Sequence, residues 1–145
     1  MTERAEDHGI SDLPVGTVRD LRWTVRAEDV DAFAALSGDF NPLHIDDDYA
    51  RSQGFPARVA HGFLLGAKVS ALVGMLLPGR RCLLLDHSLS YPKPVHVSDD
   101  VTLTGTVAAR HEEMSLIEVK LRATVIRDEI ATTVARGKAT CKILY

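Results

Sequence analysis

The chain has 145 residues, 46% of them hydrophobic and 26% charged, with 17 Lys and Arg against 20 Asp and Glu for a formal net charge of −3. That length suits one domain whose core needs no disulfide or metal staples. With no basic run beyond the pair Arg80-Arg81, the chain lacks the electrostatic footprint of a nucleic-acid binder.

The first segment, Met1 to Asp12, is polar and carries Glu3, Glu6 and Asp7, the reverse of a signal peptide's basic start and apolar centre. It reads as a flexible tail over residues 1–12, ahead of a single domain over 13–145. Residues 17–26 alternate loosely and are rich in β-branched and aromatic side chains, which predicts a strand. Residues 27–36 switch period, with Val30, Phe33, Ala34 and Leu36 along one face of a short helix that Ser37-Gly38 closes. Asn41 before Pro42 has the form of a cap followed by a first-turn proline, so a helical turn restarts there, and another is expected over 46–52.

From Gly62 to Leu77 the sequence GFLLGAKVSALVGMLL is apolar on nearly every face. It contains Lys68 and falls short of the roughly 18 to 20 uncharged residues of a membrane span, so a buried helix ending at Pro78-Gly79 is expected. Residues 81–91, 100–110, 115–127 and 130–143 each show partial period-2 alternation. Pro92 and Pro94 separate the first two, and Asp128-Glu129 stands between the last two as a hairpin connection. The outcome is an α+β fold with helices gathered on one face of an antiparallel sheet. Cys82 and Cys141 lie outside any C-x-x-C spacing and read as small apolar strand residues, in keeping with a cytoplasmic protein that makes no membrane contact.

The chemistry concentrates in Ser37-Gly38-Asp39-Phe40-Asn41-Pro42-Leu43-His44. In an unbroken helix Asp39 and His44 would diverge by about 140°, but a helix end at Gly38 and a restart at Asn41 allow them to converge. A carboxylate beside an imidazole is what adding or removing water requires. His61-Gly62 stands at the start of the apolar helix, where unpaired N–H groups and the positive dipole end suit a thioester oxygen that becomes negative during reaction.

Residues 33–79, FAALSGDFNPLHIDDDYARSQGFPARVAHGFLLGAKVSALVGMLLPG, closely resemble the MaoC-like hydratase family, in particular its (R)-specific enoyl-CoA hydratases with a single hot-dog domain. The likeness continues more loosely through LDHSLSYPKPVHVSDDVTLTGTV. It implies a hot-dog fold, in which an antiparallel sheet wraps a long helix. It also implies that Asp39 and His44 hold and activate a water, that Asn41 orients them, that Gly62 offers its N–H to the thioester oxygen, and that Ser70 lies near the pair. The implied reaction is reversible hydration of a trans-2-enoyl-CoA to the (R)-3-hydroxyacyl-CoA, without a cofactor, in a homodimer. Dimerisation would cover the sheet edge and the part of the helix that one layer leaves open.

Ser70, Val73 and Leu77 fall at i, i+3 and i+7, which makes Val73 and Leu77 candidates for the acyl pocket. Arg58, Lys68, Arg80, Arg81 and Lys93 are candidate cations for the phosphates of CoA or a carrier protein. His8, His87, His96 and His111 have no ligand spacing, so no metal is expected. Three alternatives share these features: a 3-hydroxyacyl-carrier-protein dehydratase using Asp39 and His44 in reverse, a hot-dog thioesterase, and a non-catalytic acyl-thioester-binding subunit.

Overall fold

The computed structural model describes residues 4–145. Strands β1 (Val18–Thr24), β2 (Cys82–Ser90), β3 (Asp100–His111), β4 (Leu116–Arg127) and β5 (Ile130–Ile143) form one antiparallel sheet in the order β1-β3-β4-β5-β2. Helices α1 (Ala27–Ser37), α2 (Pro42–Ile45), α3 (Asp47–Ser52) and α4 (Gly62–Met75) all lie between β1 and β2 in the chain. The sheet wraps α4, which is the hot-dog arrangement.

Alternation along the strands builds the core. Val101, Leu103 and Val107 of β3 and Ile117, Val119, Leu121, Ala123 and Val125 of β4 are buried and meet Leu64, Leu65, Val69, Leu72 and Val73 of α4 in one cluster. Each fully buried leucine or valine here contributes roughly 1.5–3 kcal/mol. The helix presses closest at Gly105, where a Cβ would stand 2.7 Å from Leu72 Cδ2. Register shifts at Leu84/Asp86, Val107/Ala109 and Ala123/Thr124 bend the strands around the helix. Asp128 and Glu129 close the β4–β5 hairpin with φ of 49° and 62°, the left-handed pair that a tight two-residue turn needs.

One expectation is corrected at the N-terminus. Residues 1–3 lie outside the described residues, but residues 6–13 are tied down rather than loose. Glu6 donates its N–H to Met75 O and accepts from Arg80 N–H, both at 2.8 Å, and Asp7 bridges to Gly79. Leu13 is fully buried, with Ile10 packed against the same core. The polar side chains concealed this, because the docking runs through the backbone and through ion pairs of Glu6 with Arg19 and of Asp7 with Arg81.

Two surfaces stay open. On the side of α4 away from the sheet, Phe63 is 80% exposed, and Ala67 and Ser70 are exposed beside it. Edge strand β2 leaves Leu83, Leu84 and Leu85 exposed. Among the described residues no helix is long and apolar enough to cross a membrane. Cys82 and Cys141 are free thiols on neighbouring strands, and their hydrogen bond together with burial holds the Cys141 thiol above its usual range.

Candidate active site

The site begins where α1 stops. Gly38 takes a left-handed conformation (φ 82°) and returns its N–H to Ala34 O, which turns the chain out of the helix. The turn that follows is stitched by its own polar atoms. Asp39 N–H donates to Ser37 Oγ at 3.1 Å, and Asn41 N–H donates to Asp39 Oδ1 at 3.1 Å. Asn41 Oδ1 then caps α2 by accepting from Leu43 N–H at 3.0 Å, with Pro42 in the first helical position. Asn41 thus touches both ends of the turn: its backbone N–H meets the Asp39 carboxylate and its side chain starts the helical turn that carries His44.

His44 is mostly buried and donates from Nδ1 to Val59 O at 2.7 Å. A carbonyl only accepts, so the ring proton sits on Nδ1 and the Nε2 lone pair is turned toward Asp39. The separation between His44 Nε2 and Asp39 Oδ2 is 3.8 Å, beyond direct hydrogen bonding. Asp39 keeps half of its side chain in solvent.

Gly62 opens α4, so its N–H belongs to the first turn that has no partner within the helix. Tyr91 lies directly over it. Its phenol donates to Gly62 O at 2.9 Å, and a Cβ at position 62 would meet Tyr91 Cζ at 2.9 Å. Burial raises the Tyr91 phenol's pKa, so it remains a donor at neutral pH. His44, Gly62, Tyr91 and Lys93 share a cleft of about 360 Å³ whose apolar wall includes Phe55, Val59, Leu65 and Val95.

Two proposed pocket residues are elsewhere. Val73 and Leu77 are 2% and 0% exposed within the central core and do not line the cleft. The helical spacing that joined them to Ser70 fails because α4 ends at Met75, before Leu77, and because Ser70 faces outward. Leu65, one turn from Gly62, takes the wall position instead.

The candidate cations also separate. Arg58 is buried and structural: its Nε donates to His44 O at 2.5 Å, its NH2 group pairs with Asp31 of α1, and its N–H meets Asp47. Lys68 sits 5.2 Å over the Trp23 ring, Arg81 pairs with Asp7, and Arg80 is an exposed side chain just past Gly79. Of the five, Lys93 lines the cleft.

Asp39, His44 and His61 each present a ligand atom within 4.8 Å of the others. Of these atoms His61 Nε2 is already committed as a donor to Asp39 O, while His44 uses its other nitrogen, Nδ1, toward Val59 O. The uncommitted donors facing the gap are the Asp39 carboxylate and His44 Nε2, fewer than the three protein ligands of a catalytic zinc site.

Residues 12–130 match the MaoC like domain family. The chain belongs to the MaoC-like family. This MaoC-like chain is 38% identical over 131 residues to the (R)-specific enoyl-CoA hydratase of Aeromonas caviae, spanning 90% of this chain and 96% of that one. It is 34% identical over 136 residues to the (R)-specific enoyl-CoA hydratase of Rhodospirillum rubrum, spanning 94% and 92%. Its fold matches the unliganded R-hydratase PhaJ1 from Pseudomonas aeruginosa with a TM-score of 0.90 at 28% identity, covering 98% of this chain and 89% of that one. It is a hydratase/dehydratase of the MaoC-like family, closely related to the (R)-specific enoyl-CoA hydratases.

Sequence reasoning missed Tyr91 as part of this site, and it expected Arg58 as a phosphate cation rather than as a brace for the His44 turn. Tyr91 lies next to the Pro92 and Pro94 pair, which marks a strand end but gives no sign of which helix that end meets. The signal for that role of Arg58 was its position in FPARVAHG, a short link that must run between α3 and α4 and therefore past the turn that carries Asp39 and His44.

Proposed function

We propose that this protein hydrates trans-2-enoyl-CoA to the (R)-3-hydroxyacyl-CoA, reversibly, at Asp39, His44 and Gly62. The observation that carries this reading is the 3.8 Å span between two acceptors, Asp39 Oδ2 and His44 Nε2, the second of which lines the cleft. A water donating one hydrogen to each acceptor fits that span and presents its oxygen lone pair to the substrate. Its oxygen bonds to Cβ as the Cα–Cβ π pair shifts toward the thioester carbonyl. The Asp39/His44 pair takes a proton from that water and returns it to Cα on the same face. Gly62 N–H and the α4 dipole stabilise the enolate oxygen in between. No redox partner or external acid is needed, because the proton that leaves the water ends on Cα.

The acyl tail lies against Leu65, Val59, Phe55 and Val95, and Lys93 supplies positive charge for the phosphate-bearing carrier. A second copy of the chain covers edge strand β2 and the open side of α4, burying Leu83, Leu84, Leu85 and Phe63.

The test is loss of the enoyl absorbance for a series of trans-2-enoyl-CoAs of rising length, with chiral analysis of the product and mass measurement in solution. The reading expects (R)-product from a dimer. Exclusive (S)-product, release of free thiol, or turnover confined to carrier-protein thioesters would each overturn it.

A further inference from the structure

His61 is the most buried polar side chain near the cleft and has no part in the reaction as derived. Its side chain is 2% exposed. Its ring lies between two others, stacked on His44 with centroids 3.9 Å apart and 26° between planes, and tilted against Phe33 at 4.8 Å. Nε2 makes the ring's one hydrogen bond among the described residues, to Asp39 O at 3.0 Å, while Nδ1 is buried without a partner. Its backbone is the N-cap of α4, immediately before Gly62.

A purely structural residue in this slot would be phenylalanine. The neighbours are aromatic, and the buried Nδ1 costs stability that a hydrocarbon ring would not. What the imidazole adds is the single bond to Asp39, placed on the flat surface that backs His44. One rigid side chain thus touches both members of the catalytic pair and is covalently continuous with the oxyanion donor.

We propose that His61 is a positioning residue that sets the Asp39–His44 spacing, its Nε2–H fixing the Asp39 carbonyl and its ring fixing the plane of His44. This rests on the hydration reading above. Asp39 is half in solvent on a turn with no other tie to α4 among its hydrogen bonds, so without this bond it drifts from His44. An error of about 1 Å in such a pair costs on the order of a hundredfold in rate.

His61→Phe keeps the stack and removes the tether. The expected result is kcat lowered about 10- to 100-fold with KM changed by less than about threefold, in a protein whose melting temperature is at or above that of the wild type. His61→Gln keeps an amide donor and removes the stack, and is expected to retain more activity than His61→Phe if it folds. A folded His61→Phe with wild-type kcat overturns the proposal.

A second measurement on the wild-type protein does not depend on turnover or on a variant folding. Nitrogen-15 histidine spectra should show His61 protonated at Nε2 and the His44 ring carbon protons shifted upfield by the stacked ring. A His61 protonated at Nδ1 alone, or an unshifted His44, overturns the proposal even in an active enzyme. Inactivity of the wild type on every enoyl thioester defeats the hydration reading, while these spectra still report on the His61 contacts.

Discussion

The β3–β4–β5 face of the sheet and the turn from Ser37 to His61 are held in place by opposite means. The sheet face is held by repetition: buried side chains recur at alternate positions along β4, much of β3 and the end of β5, and pack against α4. The turn has little core of its own. It is held by a relay of individual hydrogen bonds running from Ser37 through Asp39 and Asn41 to α2, then from His44 to Val59 and Arg58. Hydrophobic area tolerates small errors in direction, whereas a hydrogen bond fixes one. The proposed chemistry sits in the region that specifies angles, and most of the buried core in the region that does not.

Substitutions separate the two regions. Asp39→Asn and His44→Ala should each lower kcat by about 10² to 10⁴ while circular dichroism and melting temperature stay near wild type. Leu72→Ala, beneath Gly105, should do the reverse, costing about 2–5 kcal/mol of stability by denaturant titration with kcat of the folded protein nearly unchanged. Gly62→Ala lies on the boundary. Its Cβ displaces Tyr91 and disturbs the helix start, so a rate loss of about tenfold or more is expected with a modest change in stability.

The smallest effect concerns pH. Burial, helped by Arg127, holds the His96 imidazole below its usual range against the opposing pull of Asp99. The unfolded chain then takes up this proton more readily than the folded one. The contribution is complete above a pH of about 6.5 and is lost as pH falls below it. His96→Leu should flatten the fall in melting temperature between about pH 7 and pH 5, and an unaltered slope would show that other groups carry it.

The same contrast explains what was legible in the sequence. Strands and helices carried by periodicity appear where expected, from β1 through the β4–β5 hairpin at Asp128-Glu129, because period reports which face of an element is buried. Period is silent on neighbours, so the placement of β2 beyond β5 at the sheet edge was not readable. The approach of Asp39 to His44, the Asn41 cap and the helix start at Gly62 were readable because glycine, proline and capping residues constrain the backbone locally. Tyr91 and the docking of residues 6–13 act across the fold through contacts that leave no local pattern. Val73 and Leu77 were assigned to the pocket from a helical face that stops short of one of them.

The docking of the N-terminal segment changes how α4 is to be regarded. At its start it is gripped by Tyr91 and by the rings beside His61. About 20 Å away its last turn is gripped by Glu6 through Met75 O, with Gly79 clamped just beyond. The helix is thus fastened at both ends. Residues 6–13 therefore act as a thrust bearing for the helix, bracing from the opposite end of the molecule the depth at which the Gly62 amide meets the cleft.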